Sequence, residues 1–106
     1  MAWTYFWESD LNWQQHIESL AKGEEATFRP KGNSMKPKIE SGQKITVSPD
    51  ISDLNVGDIV FCKVNGNHYI HLIKSIDSDR FLIGNNRGGI NGWTRKIFGK
   101  VTKVED

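Results

Sequence analysis

The sequence predicts a small, mostly β domain with one helix near its N-terminus. A length of 106 residues suffices for a single modest core. A helical apolar period occurs early, and from residue 24 onwards short alternating segments are separated by Gly, Asn and Pro. We therefore expect one β-rich α+β domain over residues 1–106, with an aromatic segment and an amphipathic helix in 1–23 and a β domain in 24–106.

Composition places the chain among ordinary globular proteins. Charged residues make up 25% and hydrophobic residues 37%, which argues against disorder. The net charge is only +1, whereas a duplex-binding domain normally has a basic face, so nucleic acid is a poor candidate partner. No apolar run approaches the roughly 18 residues of a transmembrane helix, and the start of the chain lacks the basic region of a signal peptide. The single cysteine, Cys62, suits a reducing compartment, and we expect a soluble cytoplasmic protein.

The first residues are rich in aromatic side chains. Trp3, Tyr5 and Trp7 alternate as on the face of a strand. Such a face would pack onto the domain itself, bind a partner or touch a membrane interface. Exposed aromatic residues would also suit a homo-oligomer.

A helical period begins after Asp10. The apolar stripe consists of Trp13, Ile17, Leu20 and Ala21. Ser9 or Asp10 would cap this helix at its N-terminus, and Gly23 would end it in the left-handed conformation. His16 falls between the stripe residues and is predicted to lie at the surface.

Six strands are predicted after the helix, at 26–29, 44–48, 59–64, 68–76, 80–83 and 96–104. Asn65 and Gly66 predict a type I′ hairpin between the third and the fourth. Residues 84–93 contain four Gly and three Asn and are predicted to form a loop.

Ser34 lies in a turn that Gly32 and Pro37 would shape. Gly32 tolerates a positive φ, while Pro37 fixes its own φ and restricts Lys36. This pattern fits a nucleophile held on a rigid corner, and it also fits an ordinary tight turn. A serine hydroxyl becomes a good nucleophile only when a neighbouring base accepts its proton.

His71 is the histidine best placed to be that base, although a mid-strand histidine is also common as a structural residue. Alternation along the strand puts His71 on one face, together with Ile73 and Ser75. The other face carries the remaining residues of this stretch, which are Ile70, Leu72, Lys74 and Ile76. Because His68 and His71 point to opposite faces and only one thiol is present, we predict no metal and no other cofactor.

Five blocks of residues follow one another in a characteristic order: Gly32-x-Ser34-Met35-x-Pro37-x-Ile39, Gly42-Gln43-x-Ile45-x-Val47, Val56-Gly57-Asp58-Ile59-Val60, Ile70-His71 and Leu82-Ile83-Gly84-Asn85-Asn86. Over about residues 28–101 this order resembles the LexA, UmuD and signal peptidase superfamily of serine peptidases. The resemblance implies a compact β-rich fold with Ser34 as nucleophile. It also implies His71 as the base, at a position where many members have lysine, and backbone N–H groups of Ser34 and Met35 around the oxyanion.

The resemblance further implies that Asn85 or Asn86 orients His71, because the family's usual Gly-Asp-Asn aspartate corresponds to Asn85. A carboxamide oxygen can accept the Nδ1–H of an imidazole but cannot stabilise imidazolium with a full charge. Two smaller departures from the usual pattern are Leu72 after the base, where the histidine branch has arginine, and Gln43 in place of aspartate.

The sequence therefore predicts a small serine peptidase-like hydrolase with a Ser34–His71 dyad that acts on a protein or peptide. The alternative is a weak or inactive member of the same fold that binds protein, such as a phage protein engaging a host factor. Its binding surface would be the aromatic N-terminus and the 85–93 loop. Arg87 and Trp93 in that loop are of the types that dominate binding hot spots, and they are our candidate contacts for a substrate or a partner.

Overall fold

The part of the chain that the structure describes folds as a seven-stranded antiparallel sheet with one helix. The computed structural model describes residues 4–30, 32 and 35–106, and over residues 4–12 it describes the backbone alone. In this part of the chain the elements are α1 (Thr4–Ala21), β1 (Ala26–Phe28), β2 (Lys44–Ser48), β3 (Ile59–Val64), β4 (Asn67–Asp77), β5 (Arg80–Gly84), β6 (Ile90–Thr94) and β7 (Ile97–Glu105). The strand order is β1-β2-β7-β3-β4-β5-β6. The predicted mostly β fold with one helix is confirmed.

The start of α1 differs from the prediction. Residues 4–7 are helical, whereas their aromatic alternation predicted a strand, and Ser9 and Asp10 are inside the helix instead of capping it. Trp3 lies outside the described residues. Positions 3 and 7 are also one helical turn apart, so the same aromatic residues fit both periods. Local alternation over so few residues could not distinguish them.

The end of α1 is as predicted. Gly23 has φ +86°, its N–H donates to the carbonyl of Leu20 at 3.0 Å, and the N–H of Glu24 donates to that of Ser19 at 3.0 Å. This pair of bonds is the Schellman motif, which favours glycine at the left-handed position. Ala21, predicted to belong to the apolar stripe, is exposed beside this cap.

The second half of α1 packs on the sheet. Leu20 is buried, and Trp13 and Ile17 pack against the same core, as the stripe predicts. His16, predicted to lie at the surface, is half-buried, because its ring stacks on Phe28 with 4.1 Å between the centroids. His16 is three residues after Trp13 and four before Leu20, so it lies on the buried side of the helix. This burial lowers its pKa.

Two clusters of buried side chains lie on opposite faces of β3 and β4. Phe61, Ile70 and Leu72 belong to the first cluster, beneath α1. The second cluster consists of Val60, Cys62, Val64, Ile73, Ile83 and Ile97. Successive residues of these strands therefore alternate between two cores, as expected for a sheet that is covered on both faces over this stretch.

Phe61 is central to the first cluster, and its removal should destabilise the fold. Its side chain is fully buried, with ring centroids 5.0 Å from Trp13, 5.1 Å from Phe98 and 5.8 Å from Phe28. We expect Phe61→Ala to lower the free energy of unfolding by about 3–5 kcal/mol, measured by urea denaturation. Val56→Ala, at a side chain that is 61% exposed, is the control and should change it by about 0.5 kcal/mol at most. Equal effects of the two substitutions would contradict this account of the core.

The β3–β4 hairpin forms as predicted. Asn65 and Gly66 have φ values of +50° and +86°, as the type I′ turn requires, and Val64 pairs with Asn67. The uninterrupted loop predicted over 84–93 is wrong, because β6 forms within it and pairs with β5. Its Gly and Asn content favours turns locally, and pairing with β5 overrides that preference.

A β-bulge changes the orientation of side chains late in β4. Ile73 pairs with Ile83, but the next pair is Ser75 with Leu82, so Lys74 is an extra residue. Alternation therefore inverts after Ile73, and the faces predicted for Ser75 and Ile76 are exchanged. His71 precedes the bulge, so its predicted face is unaffected.

Candidate active site

Hydrogen bonds link the chain on either side of Ser34. Ser34 itself lies outside the described residues, together with positions 31 and 33. Gly32 has the predicted positive φ, +123°, and its N–H donates to Ser41 Oγ at 3.2 Å. The N–H of Gly42 donates to the carbonyl of Pro30 at 3.0 Å. These bonds join the segment before Ser34 to the segment that follows its turn.

Met35 anchors the chain directly after Ser34. Its side chain is buried in the first cluster together with that of Ile39, and its carbonyl accepts the Ile39 N–H at 3.1 Å. With its side chain in the core, Met35 can contribute to a site only through its backbone. The predicted oxyanion role of its N–H stays a prediction.

His71 lies in the middle of β4, where it pairs with Val60 of β3. Only 7% of its surface is exposed, and the ring of Tyr69 stacks on it at 4.9 Å. Its Nδ1 is 2.6 Å from Oδ1 of Asn91. A carboxamide oxygen can only accept, so Nδ1 carries the hydrogen and Nε2 is the basic nitrogen of the ring.

The surroundings of His71 favour the neutral ring. Burial lowers the pKa of His71, the hydrogen bond to Asn91 opposes this effect, and the charge of Lys74 lowers the pKa further. A histidine whose pKa lies below its ordinary value is unprotonated near pH 7 and can accept a proton.

Asn91 is the partner of His71 that the sequence did not reveal. Asn85 was predicted for this role, but its Oδ1 accepts the N–H groups of Arg87 and Gly89, both at 2.8 Å. The N–H of Asn85 also donates to the carbonyl of Gly89 at 2.9 Å. Asn85 therefore shapes the loop between β5 and β6, and the structure places Asn91 beside the imidazole.

Asn86, the other residue predicted to orient His71, contacts the Ser34 turn. Its Nδ2 donates to the carbonyl of Lys36 at 2.9 Å. Lys36 is two residues after Ser34, so this bond connects the β5–β6 loop to the chain that would present the nucleophile.

A bulge at the start of β6 explains how Asn91 reaches His71. Ile90 pairs with Gly84 and Gly92 pairs with Ile83, which leaves Asn91 as the extra residue. Gly92 has φ +136°, in a region that favours glycine. The Asn-Gly pair at 91–92 is the one local signal for such a bulge, and its meaning depends on the pairing with β5.

Trp93 and Arg87 are both exposed. Trp93 pairs with Leu82, so it projects from the face of the sheet opposite to that of Ile83 and His71. The guanidinium carbon of Arg80 lies 5.0 Å from the centre of the Trp93 ring. Among the described residues, no three metal-binding side chains lie together.

A family model described as Peptidase S24-like matches residues 2–100, a range that includes Ser34, His71 and Asn91. No curated protein matches the chain. The family match confirms the resemblance to the LexA, UmuD and signal peptidase superfamily. Over the described residues, no helix is long and apolar enough to cross a membrane.

Proposed function

Because the chain belongs to the Peptidase S24-like family, we propose that it is a serine peptidase-like hydrolase with Ser34 as nucleophile and His71 as general base. The observation that most directly supports the proposal is the 2.6 Å contact between His71 Nδ1 and Asn91 Oδ1 at a buried position. This contact selects the tautomer in which Nε2 accepts a proton. A base oriented by a third residue is the arrangement that activates serine in hydrolases of unrelated folds.

The proposed reaction is acyl transfer to Ser34. Its Oγ attacks the carbonyl carbon of a substrate peptide bond while its proton moves to Nε2 of His71. When the C–N bond breaks, His71 gives this proton to the leaving amine. Water then attacks the acyl-enzyme ester with His71 again as base, which releases the carboxylic acid and restores Ser34. The backbone N–H groups of Ser34 and Met35 are the proposed donors to the oxyanion.

A protein or peptide in extended conformation is the proposed substrate. β1 is an edge strand, and the Ser34 turn follows it along the chain. An edge strand offers unpaired backbone groups to which an extended segment can add by main-chain hydrogen bonds.

The rate of reaction at Ser34 should depend on pH as the pKa of His71 dictates. The base acts unprotonated, and burial lowers its pKa from 6.5. We therefore expect the rate of reaction with a fluorophosphonate to rise through a midpoint below 6.5 and to be constant above it. The measurement is the second-order labelling rate across a pH series, followed by intact mass.

Lys74→Gln is the matched variant in this experiment. Removing the lysine charge removes one cause of the lowered pKa, so the midpoint should move upwards while the reaction persists. A rate that kept rising into the alkaline range in the native chain, and that Lys74→Gln abolished, would assign the base to lysine and contradict the proposal.

The second candidate function, protein binding, is favoured by the exposed apolar residues of β6. Ile90 and Trp93 are 57% and 40% exposed, and they pair with Gly84 and Leu82 on one face of the sheet. Large apolar side chains on one exposed face often mark a protein-binding site. The test is to cross-link the Ser34→Ala protein to a protein that binds it. The captured protein is then purified, and its binding to the purified chain is measured. Binding that Ile90→Ser and Trp93→Ser abolish would support this function, and binding that survives both would contradict it.

A further inference from the structure

One short segment of the chain bonds both to the proposed base and to the backbone two residues after the proposed nucleophile. Asn86 Nδ2 donates to the carbonyl of Lys36 at 2.9 Å, just after Ser34. Asn91 Oδ1 accepts from His71 Nδ1 at 2.6 Å. The residues 86–91 therefore connect the nucleophile's turn directly to the base, across parts of the chain that are far apart in sequence.

Hydrogen bonds within the loop hold the shape of this segment. The side chain of Asn85 accepts two backbone N–H groups of its own loop, from Arg87 and Gly89. The two ends of the loop are also closely packed, since a Cβ at Gly89 would lie 2.6 Å from Asn85 Nδ2 and one at Gly84 would lie 2.5 Å from the Gly89 carbonyl oxygen. A loop so closely packed can transmit the position of one end to the other.

The turn that the segment holds is fixed on its inner side. Met35 and Ile39 are buried in the first cluster, while the intervening residues 36–38 are exposed. The hydrogen bond from Asn86 holds the turn on this exposed side, and its acceptor is a backbone carbonyl, that of Lys36. It therefore restrains the peptide unit between Lys36 and Pro37, whereas the buried side chains hold the chain only at Met35 and Ile39.

We propose that Asn86 is a positioning residue that fixes the chain after Ser34 relative to the segment that holds His71, through its hydrogen bond to the Lys36 carbonyl. This inference rests on the proposed function. Its physical basis is that the rate of attack depends steeply on the placement of the two reacting groups, so that a misplacement of about 1 Å can cost about 100-fold.

The test is the reaction of Asn86 variants with a fluorophosphonate, resolved into the maximal rate kinact and the affinity KI. We expect Asn86→Ala to lower kinact on the order of 10- to 100-fold with KI unchanged, and the pH midpoint should stay in place because the His71–Asn91 bond is intact. Asn86→Asp has the same shape but presents carboxylate oxygens to the Lys36 carbonyl, so it should lose at least as much. Asn86→Gln keeps the donor and should recover part of the rate.

The control is Asn67→Ala, at an exposed asparagine on β4, which should leave kinact unchanged. An unchanged kinact in Asn86→Ala, or a shift of its pH midpoint, would overturn the positioning role. Amide hydrogen exchange of Ile39, whose N–H bonds to the carbonyl of Met35, gives an independent readout. Asn86→Ala should accelerate this exchange and Asn67→Ala should not. If the native chain does not react with the probe, the proposed function fails, and unchanged exchange in Asn86→Ala would separately overturn the role of the Asn86 hydrogen bond.

Discussion

Replacing His71 by alanine is expected to lower the rate at which Ser34 reacts with a fluorophosphonate by about 10³-fold, since general-base catalysis typically contributes 10²- to 10⁴-fold. The buried imidazole of His71 is held by the hydrogen bond between its Nδ1 and Asn91 Oδ1, which makes Nε2 the basic nitrogen of the ring. Without it, the Ser34 hydroxyl must lose its proton to water. The measurement is the second-order rate constant of labelling, followed by intact mass, at equal folded fractions of each protein.

His68→Ala is the matched control, because His68 lies on the same strand and its ring stacks with Trp13 and Phe98 on the other face of the sheet. Folded His68→Ala protein should react with the fluorophosphonate at the native rate. Ser34→Ala should form no adduct. A His71→Ala protein that is folded and reacts as fast as the native chain would exclude His71 as the base.

Replacing Asn91 by aspartate is expected to make the site faster and to raise its pH midpoint. A carboxylate at 2.6 Å from Nδ1 would stabilise the imidazolium that forms as Ser34 loses its proton, and it would raise the pKa of His71. The midpoint should therefore move above that of the native chain. Above the new midpoint the rate should exceed the native rate by about 10²-fold or more, by analogy with the loss of about 10⁴ when a triad aspartate becomes asparagine.

Asn91→Leu is the complementary variant. It removes the acceptor and leaves the Nδ1–H without its partner, so the tautomer with basic Nε2 loses its advantage and the rate should fall. Asn85→Asp, in the residue that shapes the neighbouring loop, is the control and should leave the midpoint unchanged. If Asn85→Asp shifted the midpoint and Asn91→Asp did not, the assignment of the orienting residue would be wrong.

Local signals predicted the parts of the fold that depend on neighbouring residues. The β3–β4 hairpin follows from alternating strands and from the Asn65–Gly66 pair, whose positive φ values suit one turn type. The end of α1 follows from Gly23. The positions proposed for nucleophile and base came from the order of motifs in the chain.

The features that sequence could not reveal depend on long-range pairing. Asn91 faces His71 because a bulge in β6 is set by its register with β5, and nothing in the residues around position 91 fixes that register. His16 is half-buried because Phe28, in another element, stacks against its ring. The early start of α1 was hidden because an aromatic spacing of four residues fits a helix as well as alternation does.

The most direct test of the central claim is to find which residue of the native chain reacts with a fluorophosphonate. We expect intact mass to show a single adduct near neutral pH and peptide mapping to place it on Ser34. The adduct should be absent after unfolding in urea, because the proposed activation of Ser34 by His71 requires the folded protein. No adduct on the folded protein, under conditions that label a known serine hydrolase, would contradict the account. An adduct on a different serine, such as Ser41, would contradict it equally.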